Sequence, residues 1–159
     1  MNKIKGENYI FIRQKEDEAI LNWVEPIIVD LPKILDKRGN LSFIESENHI
    51  PFKIKRTYWI YDVPGGEVRG GHAYRKNEEF IVALSGSFNV ELDNGMEKKK
   101  FQLNRSFYGL YLPNMCWREL VNFSTNSLAL ILSSTEYNEY DYIRNYEQFI
   151  VHANNRRTI

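Results

Sequence analysis

Cysteine is almost absent from this sequence. Cys116 stands alone among 159 residues, so no internal disulfide can form and a cysteine-rich zinc site is excluded. Histidine is nearly as scarce, with only His49, His72 and His152. Net charge is missing too. Lysine plus arginine number 21 and aspartate plus glutamate number 21, which removes any general electrostatic drive toward nucleic acid. Local groups such as Lys53, Lys55 and Arg56, or Arg156 and Arg157, still offer phosphates a foothold. No stretch approaches the roughly 18 consecutive apolar residues of a membrane-crossing helix. The opening residues, MNKIKGENYIFIRQKEDE, lack the apolar run of a signal peptide. These absences point to a soluble, cytoplasmic protein with no nucleic acid or membrane partner.

No repeat, low-complexity tract or Gly/Ser/Pro-rich linker divides the chain. Residues 1–25 are charged, and EDEAILNWVE can form a short helix, so they read as an N-terminal extension. Residues 26–159 read as a single domain, long enough to bury a real core.

Aromatics are what the chain has in quantity: 14% of it, with ten Tyr and nine Phe. That favours packed β structure over disorder. Short β-type runs separated by turn residues follow from Ile27 onward: IIVDL, LSFIES, KRTYWIYDV, EFIVAL, SFNVEL, KKFQL, GLYLP and SLALILSS. Asp93-Asn94-Gly95 reads as a tight turn. Near the end the period changes. Tyr142, Tyr146, Phe149, Ile150 and Ala153 share one face of a helix. Many short strands and one C-terminal helix make an all-β fold, a sandwich or jelly-roll barrel able to hold a small ligand between its walls.

One constellation carries chemistry. Five residues separate Gly66 from His72, one separates His72 from Tyr74, four separate Tyr74 from Glu79, and six lead on to Gly86. One hairpin later, Pro113, Met115, Arg118 and Asn122 stand at matching intervals. This resembles the two signatures of the cupin superfamily, whose jelly-roll β-barrel the chain is then expected to adopt. Metal-binding cupins place ligands where this chain has His72, Tyr74, Glu79 and Arg118. Arginine has no lone pair to give a metal, and one His with one Glu is too few ligands for a catalytic zinc or iron. The reading is a metal-free site, with Arg118 suited to an anionic guest.

Longer blocks sharpen the resemblance. DKRGNLSFIE, IPFKIKRTYWIYDV, VRGGHAYRKNEEFIVALSGSFNVELDNG, FYGLYLPNMCWREL and EYDYIRNYEQF occur in order between Pro26 and Phe149. They are similar to the WxcM-like sugar 3,4-ketoisomerases, cupins that act on dTDP-4-keto-6-deoxyglucose. The resemblance implies a homodimer, often with exchanged strands, that makes 3-keto sugars for later amination into surface glycans. It also implies catalytic roles for His72 and for the position of Tyr74, which is a second histidine in the family. It implies that Arg38 and Arg118 bear on the configuration at C4, and this chain combines the two. It places Arg56, Tyr58 and Arg69 at the nucleotide.

Such a reaction moves a ketone from C4 to C3 through an enediol or enediolate. It needs a base near neutral pH, a second proton carrier and a stabiliser for the negative oxygen, but no metal or redox cofactor. His72 is the candidate base. Tyr74, two residues along the same strand, faces the same way and is the candidate relay, with Arg118 or Arg38 as the cation that would lower its pKa. Arg56 suits the diphosphate and Tyr58 base stacking, and Glu79 orients His72 or pairs with an arginine. Trp117 and Cys116 read as packing, Tyr137, Tyr142 and Tyr146 as helix and rim packing from which one could touch a ligand in a dimer, and His49 and His152 as surface. Two other readings fit the same residues: a cupin 4-keto-sugar epimerase, and a nucleotide-sugar-binding protein without isomerase activity.

Overall fold

The computed structural model describes residues 25–155. The helix expected within EDEAILNWVE and the Arg156–Arg157 pair lie outside the described residues. Ten strands and one helix follow in chain order: β1 (Ile27–Asp30), β2 (Arg56–Ile60), β3 (Arg69–Tyr74), β4 (Glu79–Ser85), β5 (Phe88–Asp93), β6 (Lys98–Leu103), β7 (Tyr108–Leu112), β8 (Trp117–Val121), β9 (Leu128–Ser133), β10 (Tyr142–Ile143) and α1 (Tyr146–Asn155). They form two five-stranded antiparallel sheets, ordered β1-β7-β4-β9-β2 and β10-β3-β8-β5-β6. This is the expected jelly roll with its C-terminal helix.

Strand periodicity divides the residues among three apolar layers. Ile81 and Ala83 of β4, Val90 and Leu92 of β5, Leu110 and Leu112 of β7 and Ile131 of β9 meet between the sheets. Their neighbours Phe80, Val82, Tyr111 and Leu132 point the other way, where Leu31, Ile50 and Phe52 cover them. On the far side of the second sheet, Ala73, Trp117 and Ile143 pack against Phe149 and Ala153 of α1. Strand β4 is therefore buried on both faces from Phe80 to Ala83, which is why FIVA within EFIVAL is apolar without a break.

Two expected elements differ. LSFIES is not a strand: the region holds only isolated bridges, Ile34 with Leu41 and Ser46 with Ile50. Its Ile44 packs over the first sheet, while Leu41 and Phe43 stay exposed, so the segment covers a sheet through one residue instead of extending it. The C-terminal helix starts at Tyr146, not Tyr142. Asn145 caps it, its Oδ1 accepting the Gln148 N–H at 2.9 Å. Tyr142 and Ile143 instead pair with Tyr74 and Ala73 of β3. That difference shapes the site.

Candidate active site

Between the sheets, at the end away from the densest packing, lies a cavity of about 580 Å³. Parity decides what faces it. In β4, Glu79 has the same parity as Ile81 and Ala83 and so points inward. In β8, Arg118 and Leu120 point in while Trp117 points out to the helix. In β2, Arg56, Tyr58 and Ile60 alternate with the outward Trp59. In β3, His72 and Tyr74 flank the outward Ala73.

A bulge in β3 aims the histidine. The β3–β8 register runs Arg69–Leu120, Gly70–Glu119, then shifts to His72–Arg118. Gly70 and Gly71 both take positive φ, 94° and 69°, a conformation that L side chains resist. A Cβ on Gly70 would stand 2.7 Å from the Arg118 carbonyl oxygen. The extra residue lets His72 and Tyr74 both turn inward beside Arg118.

The floor is a buried ion pair. Glu79 is 2% exposed and Arg118 3%, and Arg118 Nη2 donates to Glu79 Oε2 at 2.5 Å. The other carboxylate oxygen accepts from Tyr58 Oη at 2.8 Å and from Asn77 Nδ2 at 3.3 Å. A buried pair needs such extra partners, because desolvation offsets much of its Coulomb attraction. The Arg118 guanidinium also lies over the Tyr74 ring, 4.0 Å from its centroid. Glu79 therefore fixes Arg118 and Tyr58.

His72 is poised differently. Both ring nitrogens are buried and lack a hydrogen-bond partner of good geometry among the described residues. Burial first, and then the Arg118 charge, pull its pKa down to about 3. The imidazole is thus neutral at physiological pH, with a lone pair to offer. Its ring centroid is 5.0 Å from those of both Tyr74 and Tyr142. Tyr74 Oη donates to Tyr142 Oη at 3.0 Å. Burial, and after it the Glu79 charge, raise the Tyr74 pKa well above the ordinary phenol value despite Arg118. The expected lowering by a cation is outweighed. At neutral pH the Tyr74 phenol keeps its proton, which it gives to the hydrogen bond with Tyr142.

Seven of the eight residues anticipated from the sequence line this one cavity: Arg56, Tyr58, Arg69, His72, Tyr74, Glu79 and Arg118. Arg38 does not. Its side chain is 83% exposed and forms an ion pair of 2.8 Å with Asp36. Cys116 and Trp117 are packing residues, as expected, and burial pushes the Cys116 thiol up to about 12. Tyr137, Tyr142 and Arg144 line the cavity as well; rim packing with one ligand contact was expected of the tyrosines, and Arg144 was not anticipated. The signal was the alternation of Tyr142 and Arg144 across Ile143, which places both on one face of a strand.

A second cavity of about 510 Å³ lies outside the second sheet, lined by Lys98, Lys100, Trp117 and Tyr146. It holds no histidine, and Lys98 and Lys100 are already paired with Asp93 at 3.8 Å and Glu91 at 3.1 Å. The first cavity holds the residues of both signatures, His72, Tyr74, Glu79 and Arg118. There Glu79 is committed to Arg118 and Tyr58, which leaves His72 as the one uncommitted metal-type donor of the two signatures.

Known proteins carry the same arrangement of chain. A curated relative, the TDP-4-oxo-6-deoxy-alpha-D-glucose-3,4-oxoisomerase of Aneurinibacillus thermoaerophilus, is 41% identical over 79% of this chain and 91% of its own. The crystal structure of QdtA, a sugar 3,4-ketoisomerase from Thermoanaerobacterium thermosaccharolyticum in complex with TDP, superposes with a TM-score of 0.81. It is 37% identical and covers 82% of this chain and 96% of its own. The WlaRB TDP-quinovose 3,4-ketoisomerase of Campylobacter jejuni is 39% identical, with a TM-score of 0.77 over 83% of this chain and 99% of its own. The family model described as FdtA, WxcM-like, C-terminal matches residues 25–154. With that span and these identities, the chain belongs to the WxcM-like FdtA family of cupin-fold proteins.

Proposed function

We propose that the protein is a metal-independent isomerase that converts a dTDP-linked 4-keto-6-deoxyhexose to its 3-keto isomer. One observation carries this beyond family membership: the neutral, unpartnered imidazole of His72 stands among phenols and guanidinium groups in a cavity of sugar size. The proton on C3 is acidic because the C4 ketone is adjacent. His72 takes it. The enediolate that forms is negative, and Arg118 and the cavity phenols stabilise that charge. An imidazole with so low a resting pKa is a weak base. The enediolate charge developing beside it favours the imidazolium and makes the transfer feasible. The proton then returns at C4.

Arg56 and Arg69 are assigned to the diphosphate, whose oxygens a guanidinium binds with paired hydrogen bonds. Tyr58, held by Glu79, forms a fixed wall beside them. Arg38 keeps its implied bearing on C4 by reaching the site across a homodimer interface, since in one protomer it lies outside the cavity lining. Sedimentation at twice the chain mass tests the dimer, and an unchanged C4 configuration in Arg38→Ala would remove that role. Residues 26–159 form the cupin domain and carry the whole site, with residues 1–25 an extension to it. No helix among the described residues is long and apolar enough to cross a membrane, and we place the enzyme in the cytoplasm, where nucleotide sugars are made.

The direct test is incubation with dTDP-4-keto-6-deoxyglucose. Appearance of the 3-keto sugar with C5 unchanged is the expected result. Inversion at C5 would identify an epimerase, and tight binding without any product would identify a binding protein.

A further inference from the structure

We infer that Tyr142 is a catalytic residue of this isomerisation: its hydroxyl carries the oxygen-bound proton between O3 and O4 of the sugar, and Tyr74 positions it. The inference rests on the ketoisomerase reading above. The reaction moves two protons. One passes from C3 to C4, and a single imidazole serves both carbons. The other passes from O3 to O4 and needs a second group. That group must face the cavity near His72, must both give and take a proton, and must be supported while it is an anion.

Tyr142 meets each demand. It lies opposite Tyr74 in the β10–β3 register and lines the cavity with its ring 5.0 Å from that of His72. Its oxygen accepts the Tyr74 hydrogen bond at 3.0 Å. Its own hydrogen has no acceptor among the described residues and is free for a ligand. The Arg144 guanidinium, held by Glu139 through hydrogen bonds of 2.8 and 3.0 Å, lies over the Tyr142 ring, 4.1 Å from its centroid. A hydrogen-bond donor and a cation at one phenol are what a transient phenolate requires. Tyr74 is less suited to the task. It is 2% exposed, and its hydroxyl is already given to Tyr142.

The steps balance. His72 takes the C3 proton, and that electron pair becomes the C3=C4 double bond. The carbonyl pair moves to O4, which takes the Tyr142 proton. The phenolate so formed then takes the O3 hydroxyl proton, O3 forms its double bond to C3, and the C3=C4 pair takes the imidazolium proton at C4. Both residues end as they began, and no oxidant or reductant is consumed.

Tyr142→Phe tests this with the full chain. General acid–base groups contribute roughly 100-fold or more. We expect kcat to fall about 100-fold, with KM and TDP affinity unchanged. We also expect more deuterium in recovered substrate per product formed in deuterium oxide, because the enediol returns instead of going forward. Tyr74→Phe should lose about 10-fold in kcat, and the double variant should be no slower than Tyr142→Phe, as linked residues behave. A Tyr142→Phe rate within about threefold of the unaltered enzyme would overturn the inference. So would lost TDP binding, which assigns the residue to affinity, or additive losses in the double variant. If the unaltered protein itself gives neither exchange nor product, the ketoisomerase reading fails instead.

Discussion

His72 shows how far an environment can move one side chain. A free imidazole titrates near ~6.5, yet here burial and Arg118 hold it at about 3. The sign of the consequence follows. The folded form takes up its proton only at lower pH than the unfolded chain does. His72 therefore costs stability as pH falls below about 6.5 toward 3 and contributes nothing above that window. In catalysis the same shift keeps the base form present throughout the mild acid range. We predict that kcat/KM, which reports the free enzyme, stays flat on its acid side from pH 8 to 5. An ordinary histidine would impose a fall of about 30-fold across that range. A limb with its midpoint near 6.5 would show that the free base is not held as described. The identity of His72 was legible from signature spacing. Its protonation state was not, because it depends on burial and on a charge from another strand.

At the scale of elements, the β3 bulge is the feature on which the site geometry turns. Gly70 has φ 94°, and an added Cβ would meet the Arg118 carbonyl oxygen at 2.7 Å. Gly70→Ala is predicted to shift β3 against β8, displacing His72 from Arg118. It should destabilise the fold by about 1–3 kcal/mol, the cost of a strained backbone position, with a larger proportional loss in kcat than in TDP affinity. Thermal unfolding and steady-state kinetics check both parts. Most strands were readable from composition and turn punctuation, SFNVEL with one face alternating against a core and SLALILSS as a continuous apolar run suited to a buried strand. Strand β8 was harder to see, since Arg118 puts a charge where an apolar residue would mark the inward face. Strand β10 was read as helix because two residues cannot display a period, and Tyr142 fits both the helical face and the strand. Arg144 and the Tyr74–Tyr142 contact went unseen for the same reason: β-pairing across 68 positions of sequence leaves no local pattern.

At the scale of the whole molecule, the two sheets do different work. One carries Arg56, Tyr58 and Glu79 on β2 and β4. The other carries His72, Tyr74, Arg118 and Tyr142 on β3, β8 and β10. The ion pair between Glu79 and Arg118 ties the two walls together inside the barrel, so the proposed nucleotide end and the proposed proton-transfer end are set by one fold. In the proposed reaction this assembly removes the proton beside a sugar ketone with His72. Its most direct test is incubation of the protein and of His72→Asn with dTDP-4-keto-6-deoxyglucose in deuterium oxide, followed by mass and NMR analysis of the sugar. The unaltered protein should give deuterium at C3 or C4 and a 3-keto product, and His72→Asn should give neither while TDP still binds. Undiminished exchange in His72→Asn would contradict it.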